Sequence, residues 1–508
     1  MRICVYGASG AGKSTLATVL ERATSFRFVY VCGDDYIRRE STDLENLRTR
    51  LANSPRFVFD HVSAPAVLQA LGIVPDLVIY LQSQYRQVKC VDDGSMENNE
   101  RQLSICNEGG WTVRTASNIQ EAITVCLAYL HSSGLFPNTL RSFVIKVAAH
   151  CNLNCSYCYM YQGFDTEWRS APAAMPEQVA RQVGKRLAEH VDSCGEKVSC
   201  VIHGGEPLAV GARVFHRLVS AMKAEISNRP VAFSVQTNGT LITPDYLARI
   251  DELGLHIGIS LDGASFETNR FRVDHSGAPA YDAIIRGIET CLSYDFQNGS
   301  FGGVLCVIDP TADGRQTYQE LSALGLRGFD FLLRDEQHLS DPGGKTKAPS
   351  ASVFLCSAFD AWLDDTSPCN VRLFQAVIGQ IINANYSTDA IGLQPMDALA
   401  VGTTGDWEFL DILRICFPGA WKTSFSVFDK SVADVVASAD YQRVLGWQYD
   451  LADACLACSH LAQCGGGYLP HRYHAATLFK SPSVHCAALF DLMSHVKQRL
   501  RVAGLPVM

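Results

Sequence analysis

His150-Cys151-Asn152-Leu153-Asn154-Cys155-Ser156-Tyr157-Cys158-Tyr159 places three thiols on one loop in a C-x3-C-x2-C spacing. The apolar run just before it, Ser142–Ala148, reads as a buried strand. Five further strand candidates follow: Val198–His203, Val231–Gln236, His256–Ser260, Gly303–Ile308 and Phe329–Leu333. Helical segments such as Pro176–Val191 and Tyr281–Leu292 lie between them. Six such units predict an open, partial α/β barrel, with its site at the C-terminal ends of the strands. Three thiolates on one tight loop at such an end can hold three irons of a [4Fe–4S] cube and leave the fourth open to an exchangeable ligand. A zinc knuckle short of one ligand and a set of free thiols are the alternatives.

The loop resembles that of radical S-adenosylmethionine (SAM) enzymes, in which the open iron binds the amino and carboxylate groups of SAM. Other strand ends resemble the family in the expected order. His203-Gly204-Gly205-Glu206-Pro207 ends the second strand and is similar to the motif that contacts the SAM amino group. Gln236-Thr237-Asn238-Gly239 ends the third, and Ser260-Leu261-Asp262-Gly263 ends the fourth, where ribose and carboxylate contacts are expected. Arg272 lies downstream, as in members with an arginine on the SAM carboxylate. The resemblance assigns Gly204, Gly205, Glu206, Pro207, Asn238, Ser260, Asp262 and Arg272 to SAM binding, and Cys151, Cys155 and Cys158 to the cluster.

Near the C-terminus, Cys455-x2-Cys458-x5-Cys464, then Cys486, resembles the SPASM extension of radical SAM peptide maturases. By that resemblance these four cysteines hold one auxiliary [4Fe–4S] cluster; a zinc site is the alternative. The cysteine of a second, inner cluster would fall at position 468, which is Tyr468. The segment Gly405–Asp411 also lacks the cysteine expected near it. One auxiliary cluster is therefore expected. Glu408 and Asp411 lie where the inner cluster would have been, and they are the candidate proton acceptors. Cys416 reads as a structural thiol.

At the other end, Gly7-Ala8-Ser9-Gly10-Ala11-Gly12-Lys13-Ser14 fits G-x-x-x-x-G-K-[ST] between a strand, Arg2–Tyr6, and a helix, Lys13–Arg22. The glycines Gly7, Gly10 and Gly12 let backbone N–H groups face phosphate, and the helix N-terminus adds positive potential. Lys13 would reach the β- and γ-phosphates of ATP or GTP, with Ser14 or Thr15 on Mg²⁺. The segment resembles P-loop small-molecule and nucleotide kinases. Phe28–Cys32, Phe57–Asp60 and Leu77–Leu81 read as further strands, and Ile119–Leu130 as a helix. Asp34, Asp35 and Asp60 are candidate Mg²⁺ or hydroxyl partners. Arg86, Lys89 and Arg101 stand where a lid would clamp phosphate, among the acidic Asp92, Asp93 and Glu97. Nucleotide binding is the reading; phosphoryl transfer is left open.

Working outward, the 508-residue chain has 43 Lys and Arg against 52 Asp and Glu, a formal charge of −9. That balance speaks against a nucleic-acid coat or an anionic-membrane binder. No apolar run approaches a membrane span, and the chain opens directly into a glycine loop with no room for a signal peptide. A cytoplasmic location follows as an expectation. The 19 cysteines then read as metal ligands and small buried hydrophobes rather than disulfides.

The expected architecture is α/β throughout. A P-loop, parallel three-layer domain spans 1–135, a partial (β/α)6 barrel 136–340, a helical linker region with a helix at Ser352–Asp364 spans 341–400, and a small SPASM-like iron–sulfur domain 401–508. Tyr157–Tyr161, Trp168-Arg169, Asp330–Leu333, Gly465–Tyr468, His471–Tyr473 and Pro482–Cys486 are together similar to the maturases that form three-residue cyclophanes in ribosomally made peptides. That resemblance implies a 5′-deoxyadenosyl radical, a precursor peptide as partner, a Cβ-to-ring crosslink, and a flavodoxin or ferredoxin as electron donor. A radical SAM oxidase or epimerase of peptides or proteins, and a nucleotide-dependent iron–sulfur redox sensor, are the competing readings.

Overall fold

The computed structural model describes residues 140–338, 350–382 and 388–505. Before them it describes 2–7, 13–23, 29–32, 44–52, 57–60, 64–71, 75–81, 113–116 and a few residues between. The glycine loop 8–12, Asp34, Asp35, Arg86, Lys89, Asp92, Asp93, Glu97 and Arg101 lie outside the described residues. So do most of 119–130 and the side chains of Ser14 and Asp60.

The chain divides into two compact units. The first comprises Met1–Pro137 with Gly392–Pro395 and Gln448–Gly465; the second is the remainder. In the first, five short strands pair in parallel: β1 (Arg2–Gly7), β2 (Val29–Cys32), β3 (Phe57–Asp60), β4 (Leu77–Leu81) and β5 (Val113–Ala116). Their order is β2-β3-β1-β4-β5. The central β1 buries Ile3, Cys4, Val5 and Tyr6 completely, as a parallel strand covered on both faces must. It ends at Gly7, and a helix begins at Lys13. The short helix Leu461–Cys464 packs on that helix, Lys13–Ala23. The segment carrying Cys455, Cys458 and Cys464 therefore belongs to the first unit rather than with the other residues beyond 400.

The second unit is built on a ten-stranded sheet. Six consecutive parallel strands form its centre: β6 (Ser142–Ala148), β7 (Val198–Gly204), β8 (Val231–Thr237), β9 (His256–Ser260), β10 (Ser300–Val307) and β11 (Gly328–Leu332). These are the six strands expected: β6 and β9 keep the expected bounds, and the other four have ends moved by one to three residues. The two-residue β12 (Asn370–Val371) extends the sheet beyond β11. On the other side β13 (Ala398–Val401) joins β6 in parallel. β14 (Asp406–Glu408) and β15 (Lys422–Ser426) continue it antiparallel. These three were not read from sequence. They bring Glu408 beside the first barrel strand, 262 residues away in the chain.

Helix ends follow local chemistry. Thr243 accepts from Tyr246 N–H at 3.3 Å and is followed by Pro244, which starts the helix Pro244–Glu252. Asp313 caps Gly314–Ala323 in the same way. The helix Glu177–Cys194 ends on left-handed Gly195 and buries Val179, Val183, Leu187 and Val191. Its Gly184 lets the helix Ala212–Ile226 approach closely: a Cβ there would lie 2.5 Å from Met222 O. Among the described residues no helix is long and apolar enough to cross a membrane.

A Gly184→Leu side chain has no space against the Met222 backbone. It should destabilise the second unit by about 1–3 kcal/mol, despite leucine's better helix propensity. Urea unfolding midpoints check this; an unchanged midpoint would mean the two helices are free to part.

Candidate functional site

The cysteine loop leaves β6 and turns back on itself. Cys158 N–H donates to Cys155 O at 3.1 Å, and Gln162 N–H to Cys158 O at 2.9 Å. Leu153 N–H points at Cys151 Sγ at 3.3 Å, and Asn238 Nδ2 at the same sulfur at 3.7 Å. Such donors stabilise a thiolate ligand. Burial, with the neighbouring loop thiols adding to it, pushes the Cys151 thiol up to about 12 and Cys158 to about 11. As free groups these are inert thiols; a bound metal is what ionises them. Among the described residues, no three His, Cys, Asp or Glu side chains close on a single-ion position.

The end of β7 is pressed onto this loop. Gly205 N–H donates to Ala148 O at 3.0 Å, and Glu206 N–H to His150 O at 3.0 Å. A Cβ on Gly205 would lie 1.8 Å from Tyr161 Oη and 2.4 Å from His150 O. Only glycine permits that approach, so the paired glycines seat the cysteine loop. This cradle and the three half-buried thiols on one loop fit a [4Fe–4S] cluster held by Cys151, Cys155 and Cys158. Trp168 covers the loop, edge-on to Tyr161 at 4.8 Å and to His150 at 5.7 Å.

Glu206 is fully buried. Its carboxyl accepts from Leu208 N–H (2.9 Å), Thr237 Oγ1 (2.7 Å) and Asn238 N–H (2.7 Å), tying the ends of β7 and β8 together. Burial pushes this carboxyl up to about 7, although the three donors pull it down. Asn238 Nδ2 donates to Asn152 Oδ1 at 2.9 Å. Pro207 is buried in the turn after Glu206, and Ser260 Oγ accepts from Gln236 Nε2 at 3.0 Å.

Asp262 and Arg272 are partnered with each other. Arg272 Nε and Nη2 reach the two Asp262 oxygens at 2.9 and 2.8 Å, and both side chains are buried. Asp262 also accepts from Val307 N–H at 3.1 Å and from the Tyr157 hydroxyl. The arginine expected on the SAM carboxylate thus has two of its three nitrogens on Asp262, the carboxylate that also accepts from Tyr157 of the cysteine loop.

The two candidate bases separate. Glu408 Oε2 accepts from Lys146 Nζ (2.6 Å) and Arg414 Nη1 (3.0 Å), and its Oε1 from Arg414 Nη2 (2.8 Å). Burial alone would raise this carboxyl, but Lys146 and Arg414 outweigh burial and hold it low. Arg414 binds Asp165 at 2.7 Å as well and lies over the Trp421 ring. Glu408 is therefore locked in an ion network. Asp411 Oδ2 accepts from the Tyr159 hydroxyl at 2.8 Å, with Lys146 at 3.6 Å. Burial opposes its charge, and Lys146, His203 and Arg414 restore it. No hydrogen bond engages Oδ1 among the described residues. Asp411 keeps an unengaged oxygen where Glu408 has none.

Sequence reasoning missed the partners that make this pocket. Lys146 is an internal lysine in an apolar strand and buried to 3% exposure. A charge at a core position was the available signal. His471 Nε2 meets Asp335 Oδ1 at 3.2 Å, just beyond β11. Tyr468 stands edge-on to His471 at 5.2 Å. Burial raises its hydroxyl well above the usual value, with Asp389, Asp335 and Asp411 adding to the effect.

In the first unit, Cys458 N–H donates to Cys455 O at 3.1 Å, and His460 N–H to Cys458 Sγ at 3.4 Å. Cys486 starts the helix Cys486–Val502 of the second unit. Lys13 and Thr15 stand half-buried in the first turns of the helix after Gly7.

Residues 145–320 match the profile of the Radical SAM superfamily. A cysteine-type anaerobic sulfatase-maturating enzyme of Clostridium perfringens (strain 13 / Type A) is 24% identical over 337 residues, spanning 64% of this chain and 88% of that protein. A serine-type enzyme of the same description from Klebsiella aerogenes is 29% identical over 334 residues, spanning 63% and 77%. The solved structure of native anSMEcpe with bound AdoMet superposes with a TM-score of 0.62 at 21% identity, over 71% of this chain and 98% of that one. The chain thus carries a radical SAM domain on the fold of these maturases, and that superfamily implies a [4Fe–4S] cluster and SAM.

Removing the lysine tests the ion network. Lys146→Met should cost about 3–5 kcal/mol in chemical unfolding, because it strands part of the buried charge of Glu408 and Asp411. Both carboxyls are held below their ordinary values. The stability they contribute is complete above the usual carboxylate range and disappears as pH falls through their lowered folded values. Acid titration of the melting temperature should therefore show a steeper acid loss in the wild type than in Lys146→Met.

Proposed function

We propose that this protein is a peptide maturase that joins a side-chain Cβ to an aromatic ring carbon of a ribosomally made precursor. The observation that carries the reading is the cysteine loop seated on Gly204-Gly205 at the ends of β6 and β7, in a chain related to protein-modifying maturases. Cys151, Cys155 and Cys158 would hold the cluster that, with SAM, would supply a 5′-deoxyadenosyl radical able to remove one hydrogen atom from the peptide. The resemblance of Tyr157–Tyr161, Trp168-Arg169 and His471–Tyr473 to cyclophane-forming enzymes supports a crosslink as the outcome. The sequence resemblance assigns Cys455, Cys458, Cys464 and Cys486 to one auxiliary [4Fe–4S] cluster, which would supply a sink for the single electron released as the ring regains aromaticity. The accompanying proton goes to Asp411 Oδ1, which faces no protein donor. Tyr159 orients that carboxylate, and Glu408 keeps Lys146 and Arg414 in place. Gly204, Gly205, Asn238, Ser260 and the Asp262–Arg272 pair shape the SAM side of the pocket. A flavodoxin or ferredoxin is the electron donor.

The anaerobic sulfatase-maturating relatives favour a second reading, oxidation of one side chain without a crosslink. For the first unit we propose nucleotide binding. This reading is supported by the glycine-rich motif in the sequence, by a parallel sheet with β1 at its centre ending at Gly7, and by a helix that starts at Lys13. ATP or GTP with Mg²⁺ is the ligand class, with Gly7, Gly10, Gly12, Lys13, Ser14 and Thr15 around it.

Anaerobic co-expression with a candidate precursor peptide tests the crosslink. The product should lose two hydrogens, and its fragment ions should show no cleavage inside the ring. A linear product lighter by two hydrogens supports the oxidase reading instead. Cys151→Ala, Cys155→Ala or Cys158→Ala should each abolish modification. Asp411→Asn should cut product formation at least 100-fold while 5′-deoxyadenosine still forms, whereas Glu408→Gln should act chiefly on folded yield. Lys13→Ala should remove nucleotide binding and leave the crosslink intact.

A further inference from the structure

We propose that Arg334 is a carboxylate-binding residue of the pocket, a role that rests on the reading above. Arg334 follows β11 by two residues, at the C-terminal mouth of the sheet. Its backbone is fixed, because Arg334 O lies 2.7 Å from His485 Nε2. Its guanidinium lies over two rings that flank the cysteine loop, 5.7 Å from the centre of Tyr157 and 5.0 Å from Phe271. Those rings hold the planar group and cover its faces, but they satisfy none of its N–H bonds. Its Nε is buried and has no hydrogen-bond partner among the described residues. The nearest carboxylate, Glu336, is 4.0 Å from that nitrogen, beyond hydrogen-bond reach.

The other arginines here are engaged. Arg272 is forked on Asp262, Arg414 on Glu408 and Asp165, and Arg270 is paired with Asp309. A buried cationic N–H left unpaired is costly, and a ligand oxygen repairs it. A guanidinium edge held between aromatic rings matches the two oxygens of a carboxylate. Tyr157 sits between Arg272 and Arg334, 5.6 and 5.7 Å from their guanidinium carbons. One arginine holds the loop, and the other is left with donors to spare. The carboxylate belongs either to SAM or to an acidic residue of the peptide.

Binding without turnover separates these sources. Reconstituted wild type, Arg334→Met and Arg334→Lys are titrated anaerobically with SAM and with decarboxylated SAM by equilibrium dialysis. Each is also tested for retention of two matched synthetic peptide libraries, one with Asp and one with Asn at each position. If SAM is the source, Arg334→Met weakens SAM at least tenfold and decarboxylated SAM less than twofold, with Arg334→Lys in between. If the peptide is the source, SAM affinity holds and the preference for Asp over Asn is lost in Arg334→Met. Unchanged SAM affinity together with unchanged library preference overturns the assignment. Unaltered iron content and melting temperature certify the variants, and a loss of both in Arg334→Met leaves Arg334→Lys to decide. A wild type that binds SAM but modifies no peptide would sink the proposed function and leave Arg334 standing.

Discussion

The ion network around Lys146 is the constraint on which the pocket depends. A lysine in the middle of a parallel strand cannot stay charged in an apolar interior without partners. Here the partners are Glu408 and Asp411, and Arg414 extends the set to Asp165. Three stretches of chain are thereby tied at one point: the first barrel strand, the segment beyond the cysteine loop, and the stretch from β14 into the turn Asp411–Ile415. Removing the lysine would therefore disturb the site through its frame before touching any reacting atom.

Around that frame, two different forces position the cysteine loop. Steric closeness holds one side: Gly204 admits the Ala148 backbone, and Gly205 admits His150 and Tyr161, to distances no side chain would tolerate. Electrostatics holds the other: Asp262 takes Arg272 and the Tyr157 hydroxyl together. A loop clamped in this way varies little in geometry, which suits ligands that must meet three corners of one cluster. Two of the three Arg272 nitrogens take part in this clamp.

Much of this was legible in the sequence because it is local. Six apolar runs with helices between them specify parallel strands, and motifs directly after those runs fall at the strand ends where a site forms. The cysteine spacing and the glycine pair are equally local. What stayed hidden is long-range. Nothing around Glu408 reveals that Lys146 will neutralise it, since the two are 262 residues apart, so the residue read as a candidate base is one whose oxygens are all occupied. β13, β14 and β15 escaped notice because long-range pairing rather than intrinsic propensity makes them strands, β13 on β6, β14 on β13 and β15 on β14. Arg334 was passed over for a related reason: its significance lies in a partner it lacks, and a sequence does not display that.

The first unit is assembled from three separate stretches of chain, the last ending at Gly465. During synthesis its opening 137 residues must therefore wait while roughly 330 more are added, on the order of half a minute at ordinary translation speed. Throughout that interval the face reserved for the helix Leu461–Cys464 stays uncovered. The nascent chain is thus exposed to chaperones and proteases for longer than a contiguous domain of equal size, and the timing of its maturation is set by its distant end.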